Sequence, residues 1–176
     1  MSEAKVFTKE MALEKLQRNS DDKVWFISKL VLAFQDKYGD EVFDILKEVG
    51  TAWGKRTAEN VDRMLDERGL DRNDPRNFRT CLRDFLGFLE GVEHQDEKVM
   101  PKEDGKLRVE YEITLCPFVK VWREMGIPND IQEKLCLGIG NQGDITATTH
   151  HGIEYSSDLG LPKGTGPCKM VLDKVR

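Results

Sequence analysis

Residues 107–118 read Leu-Arg-Val-Glu-Tyr-Glu-Ile-Thr-Leu-Cys-Pro-Phe and contain the clearest structural signal of the chain. From Leu107 to Leu115 an apolar side chain stands at every second position, which predicts a strand with one buried face. At Pro117 the apolar residues change to helical spacing, which continues to Met125. Because proline is favoured at the first position of a helix, Cys116 is predicted to be the N-cap residue. A strand is therefore expected to pass directly into a helix.

The residues before this strand predict three helices. Ser20-Asp21-Asp22 has the composition of an N-terminal cap for the first of them. Gly50 and Gly54, four residues apart in the second helix, either admit another backbone at close range or mark a kink. The spacing of apolar residues places the helices at 20–39, 40–69 and about 75–89.

The residues after the strand predict a further helix and more strands. Asn129 is predicted to cap that helix, with Gln132 in the position of a capping box. Three further strands are expected at 92–95, 153–157 and 168–175. We therefore expect one α+β domain over residues 1–176, in which a helical part (1–91) packs on a small, mainly antiparallel sheet (within 92–176).

Composition limits the classes of function. The chain has 176 residues, 39% of them hydrophobic, enough for a core and too many for a disordered protein. The net charge of −5 without a basic cluster argues against a general nucleic-acid binder. No apolar run suits a membrane span, and Met1–Lys5 does not begin a signal-peptide pattern. We expect a cytoplasmic protein with no nucleic-acid or membrane partner. Whether it forms a homodimer is left open.

Four cysteines are spread along the chain without a Cys-x-x-Cys pair, which excludes the common zinc-ribbon and thioredoxin patterns. Cys81 lies beside an apolar helical stripe and is predicted to be a small buried residue. At the N-cap, the sulfur of Cys116 would face unpaired backbone N–H groups and the positive end of the helix dipole, which lowers a thiol pKa. The alternative is a buried cysteine that ends a core strand.

The remaining candidate residues lie further along the chain. Cys136 and Asp144 would share one side of a continuous helix, although Gly138, Gly140 and Gly143 weaken it and the helix could instead stop near Gly138. Cys168 begins the last strand on the same face as Met170 and Leu172. It could therefore be either a buried packing residue or part of the site. One of His150 and His151 could act as a base for a cysteine. The favoured interpretation is that the pair lies in a surface turn.

The order of these motifs resembles the L-2-amino-thiazoline-4-carboxylic acid hydrolase family. The resemblance rests on Ile113-Thr114-Leu115-Cys116-Pro117-Phe118, Cys136 in the next helix and the glycine turn before Cys168. It implies hydrolytic opening of a small cyclic amidine to an N-carbamoyl cysteine product, without a cofactor. Cys116, Cys136, Asp144 and Cys168 would then be the catalytic residues, with Cys116 as nucleophile and Asp144 handling protons.

Two other classes stay open. The layout also resembles, more distantly, the vinyl-reductase-type small-molecule-binding domains, which sense ligands. There, Cys116, Cys136 and Cys168 would line an apolar pocket or, with a histidine, hold zinc. A purely structural or partner-binding domain is the third interpretation, and buried, unreactive cysteines would favour it.

Overall fold

The computed structural model describes residues 9–72, 74–90, 92–102 and 106–174, so the sequence signals at Met1–Lys5 and Val175 lie outside the described residues. A 3₁₀ turn (Gly39–Glu41) joins the first two helices, and a π-helical turn (Leu137–Asn141) joins the fifth and sixth. The helices are α1 (Lys9–Tyr38), α2 (Val42–Arg68), α3 (Pro75–Glu90), α4 (Pro117–Glu124), α5 (Asn129–Cys136), α6 (Gln142–His150) and α7 (Gly160–Lys163). The strands are β1 (Glu93–Pro101), β2 (Leu107–Leu115), β3 (Ile153–Asp158) and β4 (Cys168–Lys174).

The four strands form one antiparallel sheet in the order β1-β2-β4-β3. On β2, Val109, Tyr111 and Ile113 are buried while their neighbours are less so, which confirms the half-buried strand. In the ladder between β2 and β4, Ile113 lies opposite Cys168. The α+β prediction, a helical N-terminal half against a small antiparallel sheet, is confirmed.

The predicted start of α1 is wrong. The helix begins at Lys9, and Ser20-Asp21-Asp22 lies inside it. Of its apolar residues, Val24 and Val31 are buried, because α1 packs on α4 through a narrow face where Nε1 of Trp122 donates a hydrogen bond to Ser28 (2.8 Å). Several large apolar residues stay exposed on α1: Trp25, Phe26, Ile27, Leu30, Phe34 and Tyr38.

Glycines bring α2 into close contact with the π-helical turn and α6. A methyl group on Gly50 would collide with the carbonyl oxygen of Gly138, and one on Gly54 with that of Gly143. On the other side, a methyl group on Gly143 would overlap the ring of Trp53. The close-approach interpretation of Gly50 and Gly54 is therefore confirmed, and α2 is one continuous helix without a break at either glycine.

Two smaller predictions need correction. Asn129 is not an N-cap residue: Pro128 occupies that position, and Asn129 donates a hydrogen bond from Nδ2 to the carbonyl oxygen of Lys163 (3.1 Å). Strand β1 extends to Pro101, well past the predicted end at Gln95. Its backbone pairs with β2 along this length, and its many polar residues suit an edge strand.

The interior contains two apolar clusters. One lies between the C-terminal half of α2, α3 and the sheet, and the other joins α1, the start of α2, α4 and α5. Cys116, Cys136 and Leu161 pack against both clusters, so the boundary between them runs past two of the candidate residues. Within the described ranges, no helix has both the length and the hydropathy needed to cross a bilayer.

Candidate functional site

A cavity of about 70 Å³ lies where the two apolar clusters meet. Its accessible lining is almost entirely apolar. All four residues proposed from the sequence contribute to it: Cys116, Cys136, Asp144 and Cys168. The other lining residues are Trp53, Leu86, Val92, Ile113, Phe118, Val119, Gly140, Asn141, Tyr155, Leu159, Pro162 and Met170. Residues from both halves of the chain therefore share one site.

Cys116 occupies the predicted place between strand and helix. It is the N-cap residue of α4 in an extended conformation (φ −128°, ψ 118°), and Pro117 is the first helical residue. It is partly buried and lines the cavity. The position predicted from the Cys-Pro-Phe motif is confirmed, while the nucleophilic role stays a prediction.

Cys136 and Asp144 reach the cavity through a continuous helical segment. The chain does not stop at Gly138: α5 passes through the π-helical turn into α6. The wider turn lets Cys136 and Asp144, eight residues apart, both face the cavity. Gly140 lies between them, and a methyl group there would meet only the sulfur of Cys136, at 3.9 Å. Gly140 is thus the glycine that leaves space for a ligand, whereas Gly138 and Gly143 face α2.

The thiols of Cys136 and Cys168 are held in the neutral form. Burial raises the pKa of Cys136 well above its usual value, and the nearby thiol groups of Cys116 and Cys168 raise it further. Burial also raises the pKa of Cys168, although the backbone N–H of Leu161 donates a hydrogen bond to its sulfur (3.4 Å). Both residues therefore behave as apolar lining at neutral pH.

Asp144 is the ionisable carboxyl group of the cavity. Burial raises its pKa to about 7, against the opposing effects of a hydrogen bond from Tyr155 and the positive charge of Arg79. The Tyr155 hydroxyl donates to Oδ2 at 3.4 Å, a long hydrogen bond, and also lies 2.9 Å from the sulfur of Met170. Asp144 keeps some accessible surface, as expected for a group that faces a small cavity. It therefore changes charge near neutral pH.

Arg79 is a charged residue that the sequence analysis missed. Its side chain is fully buried, with the guanidinium carbon 3.7 Å from the ring centre of Tyr111 and Nη2 3.4 Å from a carboxylate oxygen of Glu97. Its three guanidinium nitrogens have no hydrogen-bond partner. A signal was present, because Arg79 falls between Phe78 and Leu82 on the apolar side of α3. Its charge limits the rise in the pKa of Asp144.

The zinc alternative for the cysteines does not fit the geometry. Ligand atoms of one zinc ion lie within a few ångströms of one another, since Zn–S bonds are about 2.3 Å. Among the described residues, the one group of three or more His, Cys, Asp or Glu side chains with ligand atoms within 4.8 Å is Asp62, His150 and His151. Cys116, Cys136 and Cys168 line one cavity but do not form a common metal-binding set.

The two histidines have different environments. His150 ends α6 and is exposed, whereas the His151 side chain is buried against Phe78, with ring centres 4.7 Å apart. The favoured prediction of a surface turn is right only in part: a turn follows α6 at 151–152, but His150 belongs to the helix and the His151 side chain is buried. Neither histidine lines the cavity, so within the described site neither is placed as a base for a cysteine.

Comparisons with known proteins add information at the level of the fold. No protein-family model matches the sequence, and no curated protein matches it. The structure is similar to the crystal structure of the phenol-responsive sensory domain of the transcription activator PoxR with phenol, with a TM-score of 0.51 and 17% sequence identity. The similarity covers 86% of this chain and 74% of that one. At this identity the similarity shows a shared fold, and the comparisons give no support to the hydrolase resemblance.

Proposed function

We propose that this chain is a small-molecule-binding domain whose ligand occupies the cavity beside Asp144. The observation that carries the proposal is the pairing of an almost entirely apolar lining with one buried carboxyl group. If one water-sized group needs about 10–15 Å³, the cavity holds roughly five to seven non-hydrogen atoms. The ligand is therefore compact and mainly apolar, the size of a single ring, with one hydrogen-bonding group.

The similarity to the PoxR sensory domain supports the choice of a phenol as the first ligand to test. Phenol is a single apolar ring with one hydroxyl group, which matches the size and chemistry of the cavity. Asp144 would bind the hydroxyl group, either by accepting its proton in a hydrogen bond when ionised or by donating when protonated. Trp53 and Phe118 supply aromatic contacts for the ring.

Calorimetric titration with phenol tests the proposal. We expect one ligand per chain, with a dissociation constant between about 1 µM and 1 mM for a ligand of this size. At pH 8, where Asp144 is ionised, Asp144→Asn should weaken binding about tenfold or more, since it replaces a charged hydrogen-bond acceptor by a neutral amide. Asp130→Asn, which changes an exposed carboxylate on α5, is the matched control and should bind phenol normally. Equal affinities of both variants would contradict the role of Asp144.

Hydrolytic ring opening is the second candidate, favoured by the position of Cys116 at the N-terminus of α4 in the same cavity as Asp144. Because the pKa values of Cys136 and Cys168 are raised, Cys116 is the thiol that this mechanism requires. Its thiolate would attack the amidine carbon of the ring, the bond from that carbon to the ring sulfur would break to release the product thiol, and water would then displace Cys116 to leave the N-carbamoyl group, with Asp144 transferring protons.

Incubation with 2-amino-thiazoline-4-carboxylate separates the two functions. A hydrolase forms the N-carbamoyl cysteine product, and Cys116→Ser abolishes product formation while the protein stays folded. A wild-type protein that binds phenol and forms no product is a binding domain. Product formation that persists in Cys116→Ser would eliminate the nucleophilic role of this residue.

A further inference from the structure

Away from the cavity, three side chains with metal-binding chemistry meet where the end of α6 packs against α2. Asp62 lies on α2, His150 is the last residue of α6 and His151 follows it. Nε2 of His150 lies 3.1 Å from Oδ2 of Asp62, and Nε2 of His151 lies 3.9 Å from Oδ1. One ligand atom from each residue lies within 4.8 Å of the other two.

The environment of His151 indicates a missing ligand. Its side chain is only 3% exposed, and Nε2 is buried without a hydrogen-bond partner. Buried polar atoms are nearly always paired, so this nitrogen requires an explanation. The backbone of Arg72 acts on the same ring as a hydrogen-bond partner, and Nε2 is still unpaired. A histidine that donates from Nδ1 to the backbone presents Nε2 as a lone-pair donor, as metal-binding histidines do.

We propose that Asp62, His150 and His151 form a binding site for a divalent transition-metal ion such as Zn²⁺. Two imidazole nitrogens and a carboxylate oxygen are a ligand set that zinc accepts, with water in the fourth position. A tetrahedral ion with bonds of about 2.0 Å separates its ligand atoms by about 3.3 Å. The three ligand atoms lie within 4.8 Å of one another, so they must approach by up to about 1.5 Å to surround such an ion. Mg²⁺ and Ca²⁺ prefer oxygen ligands and suit this set less well.

Arg72 is the charged group that opposes a cation here. Its Nη1 lies 3.1 Å from Oδ1 of Asp62, but the same guanidinium group also pairs with Asp66. The Arg72 side chain is about half exposed, so it has room to move. It would keep its ion pair with Asp66 while the carboxylate of Asp62 binds the ion. His150, 53% exposed, has room to adjust its ring, whereas His151 is fixed by its packing on Phe78.

Zinc titration of the full, tag-free chain by competition with a chromophoric chelator tests the site. We expect one Zn²⁺ per chain and a loss of affinity of about tenfold or more in both Asp62→Asn and His150→Gln, which change accessible positions. The matched control is His94→Gln, which changes the third histidine of the chain, on β1, and should bind zinc as the wild type does. Zinc should also raise the melting temperature of the wild type and of His94→Gln, but not of the two site variants.

Cobalt substitution distinguishes this site from the cavity thiols. Co²⁺ bound by nitrogen and oxygen gives a visible d–d spectrum without the strong near-ultraviolet thiolate-to-cobalt band. The proposal is overturned if the wild type binds no zinc, if affinity is unchanged in Asp62→Asn and His150→Gln, if His94→Gln loses binding equally, or if the thiolate band dominates.

Discussion

At the scale of single residues, Asp144 has the largest expected effect on pH dependence. Its pKa is raised by burial from 3.8 to about 7, so the folded protein binds a proton that the unfolded chain has already released between these values. The stabilisation from that proton is complete below about pH 4 and is lost as the pH rises through about 7.

Asp144→Asn removes this titration, so we expect the wild type to lose about 2 kcal/mol of unfolding free energy relative to the variant between about pH 5 and pH 7. Urea unfolding of both proteins at the two pH values measures the difference. Asp130→Asn serves as the control, since it makes the same substitution at an exposed carboxyl group on α5, away from the cavity. If the stability difference between the wild type and Asp144→Asn is the same at both pH values, the burial of this carboxyl group is contradicted.

Some residues of the site were predictable and others were not. Cys116 could be placed because alternation in the strand and Pro117 after it both fix its position. Cys81 was correctly predicted to be buried from its neighbours on α3. The burial of Arg79 was not predicted, because a local pattern does not show whether a charged residue among apolar ones points into solvent or into the interior. Its partners, the ring of Tyr111 and the carboxylate of Glu97, are distant in sequence. Asp62 and His150 lie 88 residues apart, so only the tertiary structure brings them together.

At the scale of secondary-structure elements, two glycines in helical segments should respond oppositely to the same substitution. Gly140→Ala adds a methyl group at ordinary contact distance and reduces the freedom of the unfolded chain, so we expect stabilisation by about 0.5–1 kcal/mol. Gly50→Ala forces α2 away from the π-helical turn and should destabilise by about 1–3 kcal/mol. Thermal or urea unfolding measures both, and a destabilised Gly140→Ala would mean that the cavity is not open at this point.

The elements differed in how well the sequence predicted them. Strand β2 and helix α3 carry strong periodicity, and their predicted positions are confirmed. The start of α1 was missed because Ser20-Asp21-Asp22 resembles a cap but is solvated within a longer helix. The continuation of α5 into α6 was left open, since packing of Gly138 and Gly143 against α2 offsets their poor helix propensity.

At the scale of the whole molecule, helix α1 bears on the homodimer that the sequence left open. The exposed residues Phe26, Leu30 and Phe34 lie one turn apart on the same side of α1, a larger apolar surface than the single residues common on monomer surfaces. We expect sedimentation to give a dimer, and Phe26→Glu to shift it toward the monomer. Val99→Glu, a change of an exposed apolar residue on β1, is the control. A wild type that sediments at 20.2 kDa would contradict the prediction.

For the molecule as a whole, the central expectation is a ligand in the cavity between the two apolar clusters. Fold class was predictable from element order, but the cavity was not, because its lining comes from both halves of the chain. Gly140→Leu fills that space from a position whose Cβ would meet only the sulfur of Cys136, at 3.9 Å, and no backbone atom.

Calorimetric titration of phenol into wild type and Gly140→Leu is the most direct measurement. We predict that the wild type binds one phenol per chain, and that Gly140→Leu, shown to be folded by circular dichroism, gives no binding heat. Undiminished phenol binding by Gly140→Leu would contradict the claim that this cavity is the ligand site.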